Sequence, residues 1–171
     1  EGVGRRLAAL RPLPPDDPQA ELAAFANPAV ADAINSKVDD GLAVPGAEDL
    51  SRAARGGTPR CVDADGQRYL LPTVVYCARP DHPLARTEFL FPFASVVELP
   101  EAQMLEWIGP SLVVTGVTGA TDFRRRLLAC PSIQRLNLGR IPTNAVRWDQ
   151  PHEGNLFEWL YTRRAIQVDA P

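Results

Sequence analysis

The sequence predicts an α/β fold: a mostly parallel sheet with helices on both faces, three layers in all, and one β-hairpin towards the N-terminal side. Three observations carry that expectation. Short apolar runs FASVVEL, SLVVTGV and SIQRLNLG alternate with ten-residue amphipathic stretches PEAQMLEWIG and TDFRRRLLAC. That rhythm belongs to βαβ units, whose strands run parallel and are covered on both faces. From residue 58 the segment TPRCVDADGQRYLLPTVVYC is β in composition and holds Asp65-Gly66, a pair suited to a two-residue turn with positive φ at both positions. Before residue 58 apolar residues recur at helical spacing instead.

In chain order, Val3, Leu7 and Leu10 mark a first helix, which RPLPPDDP ends with four prolines in eight residues. Residues 19–25 read as a second helix. Pro28, at a helix-start position, opens a third that runs through Val30, Ile34 and Val38 to Gly41. PGAEDLSRAARGG reads as a short helix closed by Gly56 and Gly57. The hairpin follows, then strand 93–99, a helix opened by Pro100, strand 111–117, a helix capped by Thr121 or Asp122, and strand 132–139. A loop from residue 140 leads to a terminal helix, HEGNLFEWLYTRRAIQ, with Leu156, Trp159 and Leu160 on its apolar face and Arg163 and Arg164 in its last turn. The expected organisation is one domain over residues 1–171: helical to 57, α/β over 58–139, then loop and terminal helix.

Composition narrows the function. At 171 residues, 45% hydrophobic and 23% charged, the chain fits one globular domain. A net charge of −3 disfavours nucleic acid as a partner, since phosphate contacts need a basic surface. Arg124, Arg125 and Arg126 read as a solvated helix face. Three cysteines without a CxxC pair fit a reducing cytoplasm, and no apolar run approaches the ~20 residues that span a bilayer. The chain begins at Glu1 inside a helical pattern and reads as a segment of something longer.

Local motifs supply no complete catalytic set. His152-Glu153 opens the terminal helix, but a zinc-protease helix needs a second His four residues on, where Leu156 stands. The other histidine, His82, lies beside Pro83 in a different segment, so no metal site is expected. GVTGAT (116–121) lacks both the three-glycine dinucleotide fingerprint and the lysine of a P-loop, and reads as a tight turn. Cys77 ends a β run and Cys130 ends a helix, where the dipole disfavours a thiolate; both read as small buried hydrophobes. The pairs Asp16-Asp17 and Asp39-Asp40 read as solvated carboxylates.

One stretch goes further. Residues 69–99, YLLPTVVYCARPDHPLARTEFLFPFASVVEL, resemble the NAD(P)-dependent aldehyde dehydrogenase superfamily, in its C-terminal catalytic-domain portion. There a "PTV" strand leads to an E-x-F-G-P motif and a further apolar strand; the matching positions are Pro72-Thr73-Val74, then Glu88, Leu90, Phe91 and Pro92. The order of elements that follows, down to Leu136-Asn137 and the terminal helix, is similar as well. By resemblance Glu88 contacts the hydroxyls of the nicotinamide ribose, a role that suits a carboxylate because it accepts from both. Leu90 stands in place of the aromatic near the nicotinamide and Phe91 in place of the glycine; the family's "PFGG" and "SGxGRE" signatures are not preserved.

The resemblance implies NAD or NADP as cofactor, an aldehyde as substrate, and a homo-oligomer at full length. It implies thiolate attack on the aldehyde, hydride transfer to NAD(P)+ and hydrolysis of a thioester. The family's nucleophilic cysteine, general-base Glu and cofactor domain precede the E-x-F-G-P motif by more than this chain extends before Glu88. No catalytic residue of this chain is therefore expected, only the cofactor contacts Glu88 and Leu90. Pro151-His152-Glu153-Gly154 then reads as a junction between elements. The rival reading is a non-catalytic α/β module for subunit association or small-ligand binding.

Overall fold

Asn27 and Pro28 start the longest helix, and each does so for its own reason. The Asn27 side chain accepts a hydrogen bond from the Ala29 amide, while proline at the first helical position gives up a donor that has no helical partner. The structure, a computed structural model, describes residues 2–144; the expected terminal helix, with His152 and Glu153, lies outside them. The chain divides into two compact units, residues 1–99 and 100–171.

In the first unit α1 (Gly2–Ala8) is followed by α2 (Pro28–Ala43), β1 (Ala47–Asp49), α3 (Leu50–Ala54), the strands β2 (Cys61–Ala64) and β3 (Gln67–Leu70), then β4 (Thr73–Cys77), a one-turn 3-10 helix (Pro83–Ala85) and β5 (Phe93–Val97). The sheet order is β1-β4-β5. β1 lies antiparallel to β4, with Glu48 opposite Tyr76, and β5 lies parallel to β4, with Val75 opposite Ser95. β4 is the central strand, and its Val74, Val75 and Cys77 are buried. Burial of each valine contributes roughly 1.5–3 kcal/mol. The α3 helix is stitched to β4 by side chains. Ser51 Oγ accepts from the Val74 amide at 2.7 Å, and Arg55 donates to the Pro72 carbonyl at 3.0 Å.

The β2–β3 hairpin turns at Asp65 (φ 51) and Gly66 (φ 73), both in the left-handed region as a two-residue turn requires. Tyr69 and Leu71 pack with Leu22 beneath it.

The second unit holds α4 (Glu101–Ile108), β6 (Ser111–Gly116), α5 (Thr121–Leu128) and β7 (Ile133–Leu138), with β6 and β7 parallel. Phe123 and Leu127 of α5 pack with Ile133. A side chain at Gly116 would meet Leu127 at 2.8 Å, so the bare backbone there lets α5 lie close on its strand. Arg124, Arg125 and Arg126 are exposed, and Arg125 pairs with Asp122 at 3.0 Å.

The α/β class, the parallel pairings and the hairpin stand as expected, though the sheets are small. Several local expectations do not. Residues 19–25 form no helix; Leu22 packs against the hairpin, and the Phe25 amide donates to the Arg68 carbonyl at 2.8 Å. A seven-residue run cannot meet the cost of helix nucleation when extended pairing competes. The first 57 residues are not purely helical, because β1 takes 47–49 and leaves only Leu50–Ala54 to α3. The α1 face that is buried carries Gly4 and Ala8, while Val3 is 64% exposed. Gly4 comes close to the Leu50 carbonyl, where a Cβ would stand 3.2 Å from the oxygen and crowd the contact. In α2 the buried positions are Ala31, Val38 and Gly41, with Val30 turned outward. The cap of α5 is Ala120, with no side-chain bond to it; Thr121 is already helical.

Candidate functional site

The parallel pairing of β4 with β5 requires a crossover, and residues 78–92 make it. His82 turns the chain. Its ring Nδ1 accepts from the Leu84 amide at 3.2 Å and so caps the 3-10 turn, whose first residue is Pro83. Ser95 Oγ, on β5, donates to the Ala85 carbonyl at 3.1 Å, and Thr87 Oγ1 donates back to the Pro83 carbonyl at 2.7 Å. Glu88 follows directly. Past it, the Pro92 carbonyl accepts from the Thr73 amide at 2.9 Å, which returns the chain to the start of β4. The crossover is thus pinned at both ends.

These pins shape a cleft of about 710 Å³ whose lining includes Ala85, Glu88, Phe89, Leu90, Phe93 and Ser95. Both predicted cofactor contacts, Glu88 and Leu90, line it together. Glu88 is exposed and Leu90 is 81% exposed, so a carboxylate and an aliphatic side chain face the same accessible space. Such a pair can accept hydrogen bonds from a diol and lie against a flat ring. That chemistry fits a nicotinamide ribose.

Phe91, in the glycine's position, packs in an aromatic cluster, 5.8 Å from Phe93 and 6.1 Å from Phe89, which meet each other edge-on at 4.8 Å. Among the described residues Asp65 is the only non-glycine with positive φ. Phe91 therefore sits without backbone strain, and this loop makes no conformational demand for glycine there.

A second cleft, of about 780 Å³, lies over α3 and includes Asp39, Asp49, Arg55 and Arg60 in its lining. Asp49 is its centre. Its Oδ1 accepts from the Ser51 and Arg52 amides, its Oδ2 accepts from Arg55 at 2.8 Å, and Arg60 stands 3.8 Å away. Arg60 also pairs with Asp39 at 3.1 Å. Arginines 52, 55 and 60 are balanced by Asp39, Glu48 and Asp49 in the same lining, so the cleft favours no ligand charge. This cluster is a structural joint.

The three cysteines have different settings. Cys77 is fully buried in β4, and burial pushes its thiol up, away from the thiolate. Cys130 is half-buried and 3.2 Å from Ser132 Oγ, less enclosed than its reading as a buried hydrophobe implied. Cys61 lies 3.7 Å from Asp32, a carboxylate, and 3.4 Å from Arg68. Hydrogen bonds to Cys61 and Asp63 raise Arg68 further above its ordinary value, which keeps it a cation.

Sequence reasoning passed over His82. The available signal was His-Pro itself, because proline at the first position of a turn marks the preceding residue as its cap.

No protein-family model matches the chain, and no curated protein matches it in sequence. Its fold does have counterparts. A lactaldehyde dehydrogenase from Escherichia coli superposes with a TM-score of 0.69 at 15% identity, over 89% of this chain and 31% of that one. A 1-pyrroline-5-carboxylate dehydrogenase gives 0.64 at 17% identity, over 88% and 28%. A P. syringae indole-3-acetaldehyde dehydrogenase, solved with NAD+, gives 0.64 at 16% identity, over 80% and 27%. The chain has the fold of a portion of the aldehyde dehydrogenases, and it spans less than a third of the length of these three structures.

Proposed function

We propose that this chain is part of an oxidoreductase that oxidises aldehydes to acids with NAD or NADP. One observation carries the reading. In a fold shared with aldehyde dehydrogenases, Glu88 and Leu90 line one accessible cleft on a crossover pinned at both ends. Glu88 accepts hydrogen bonds from the two ribose hydroxyls, and Leu90 gives the nicotinamide ring an apolar wall. The cofactor, when bound, supplies the hydride acceptor; the chain's own share is to orient it. The nucleophilic cysteine lies on a segment outside these 171 residues. The settings of Cys77 and Cys130 support that, since one is sealed in a strand and the other sits beside a serine hydroxyl, while at Cys61 the Arg68 cation is offset by the carboxylate of Asp32.

The complete protein is then a homo-oligomer of the cytoplasm, acting on an aldehyde and on neither nucleic acid nor membrane. Among the described residues no helix is long and apolar enough to cross a bilayer.

The test is aldehyde-dependent formation of NADH or NADPH by the product of the complete reading frame, with and without Glu88→Gln. Turnover that the substitution weakens supports the reading. Full-length protein that neither binds nicotinamide nor oxidises any aldehyde would leave the chain as a non-catalytic module.

A further inference from the structure

His82 is 2% exposed, and both of its ring nitrogens are engaged by backbone groups that fix its protonation. At Nδ1 stands the Leu84 N–H, 3.2 Å away, which can only donate. At Nε2 stands the Val44 carbonyl, 3.3 Å away, which can only accept. Both bonds exist together in one state alone: the neutral ring with its proton on Nε2 and its lone pair on Nδ1. The remaining neighbour of Nδ1 is Cys77 Sγ at 3.7 Å, a weak partner.

The two bonds join distant parts of the unit. Val44 caps the C-terminus of α2, 38 residues before His82, whereas Leu84 leads towards the Glu88 cleft. Leu84 also rests on Gly41 of the same helix. His82 thus fastens the start of the crossover to α2, Ser95 ties Ala85 to β5, and the Pro92 carbonyl holds the far end to the start of β4.

We propose that neutral His82 is the latch that positions the Glu88-bearing segment, and that protonation of its ring releases that segment. A proton on Nδ1 sets donor against donor at Leu84 and leaves the cap unmade. The carboxyl end of α2 would welcome a positive ring, but Nε2 already donates to Val44 in either state, so this gain is partial. The groups facing the ring are Val44 from α2, Cys77 from β4 and Leu84 from the 3-10 turn, none of them a carboxylate. Asp81, next in sequence, has a 71% exposed side chain and pairs with Arg79 at 3.4 Å. A buried cation without a compensating charge is unfavourable, so the protonated ring pulls the segment open. The consequence for ribose binding rests on the function proposed above; the latch itself does not.

The experiment is nuclear magnetic resonance on the 171-residue chain, following the imidazole nitrogens and the exchange protection of the Leu84 amide. It compares wild type, His82→Asn and His82→Ala between about pH 8 and pH 5, the range in which imidazoles titrate. The wild type should show Nδ1 unprotonated at neutral pH. Its Leu84 protection, corrected for intrinsic exchange, should fall about tenfold or more as the ring takes its proton, the factor expected when a hydrogen bond worth about 1–1.5 kcal/mol is lost. His82→Asn can still cap through Oδ1 but cannot titrate, so Leu84 should stay protected with no acid step. His82→Ala should lack protection throughout. A proton found on Nδ1 in the neutral wild type, or an acid step that survives in His82→Asn, overturns the latch. Absence of nicotinamide binding by the full-length protein would count against the proposed function and leave these amide readouts unchanged.

Discussion

Leu84 lies against the bare backbone of Gly41, so close that a Cβ at position 41 would stand 2.5 Å from both Leu84 Cγ and Cδ2. Gly41 is buried in the last turn of α2, and Leu84 is 2% exposed. A mid-chain carbon of a buried leucine cannot step aside as a surface side-chain tip would. Gly41→Ala therefore sets two effects against each other. Alanine favours a helix by about 1 kcal/mol. Overpacking costs about 1–3 kcal/mol, and more when the neighbour cannot move. The clash wins, and urea unfolding should show Gly41→Ala destabilised. Gly41→Ala combined with Leu84→Ala should recover part of that loss, because the second change removes the obstructing atoms.

Asp49 offers a separation of capping from charge. Its side chain caps α3 and pairs with Arg55, the two being 6% and 2% exposed. The Nε atoms of Arg55 and Arg60 are buried without a hydrogen-bond partner, so these arginines are already imperfectly compensated. Asp49→Asn keeps an acceptor for the Ser51 amide but leaves the guanidinium groups without their shared anion. Removal of one partner from a buried pair costs about 3–5 kcal/mol, against about 1 kcal/mol for loss of a cap. Asp49→Asn should then lose most of the stability that Asp49→Ala loses, as read from thermal and urea midpoints. If Asp49→Asn behaved like wild type, the charge would be dispensable and the cap would carry the site.

Glu88 should behave in the opposite way, silent in stability and loud in function. It is exposed at the rim of its cleft, where substitutions usually fall within about 0.5 kcal/mol. A carboxylate that accepts from ribose hydroxyls is worth about 1.5–3 kcal/mol, or roughly ten- to a hundredfold in binding. Glu88→Gln in the full-length protein should leave the unfolding midpoint in place and lower kcat/KM for NAD(P)+ by that factor. Leu90→Ala should have a smaller effect, since it removes only an apolar wall.

The sequence spoke most clearly where one residue's backbone needs decide the local structure. Asp65-Gly66 names its own turn, and Asn27-Pro28 its own helix start, because the reason is contained in two adjacent residues. It spoke poorly where the reason lies far along the chain. Residues 19–25 have helical spacing, yet Leu22 and Phe25 are held by Tyr69 and Arg68, more than forty positions later. The three residues of β1 are a strand only because Val75–Cys77 pair with them. The site divides in the same way. Glu88 and Leu90 sit two apart on one loop, so a local motif is enough to propose them together, whereas His82 draws its meaning from Val44, which no local pattern connects to it.

Cys77 makes a prediction at the alkaline end. It is fully buried, and burial raises its thiol above the ordinary value of 9.0, because a thiolate would lose its hydration inside β4. The folded state thus holds this proton more tightly than the unfolded state. The stability this provides is fully present below the unfolded thiol value and is lost as pH rises from there through the folded value. Wild type should accordingly lose stability with rising pH above about 9, and Cys77→Ala should lose less over the same interval. At neutral pH the order reverses, since the smaller side chain leaves a void costing about 1 kcal/mol, the penalty typical of a methyl-sized cavity. Urea denaturation at neutral and alkaline pH checks both signs. In native protein a thiol reagent should modify half-buried Cys61 and Cys130 while sparing Cys77 until the chain unfolds. Rapid labelling of Cys77 in the folded state would mean that β4 opens locally, and the shared centre of the β1-β4-β5 sheet would no longer be its most protected strand.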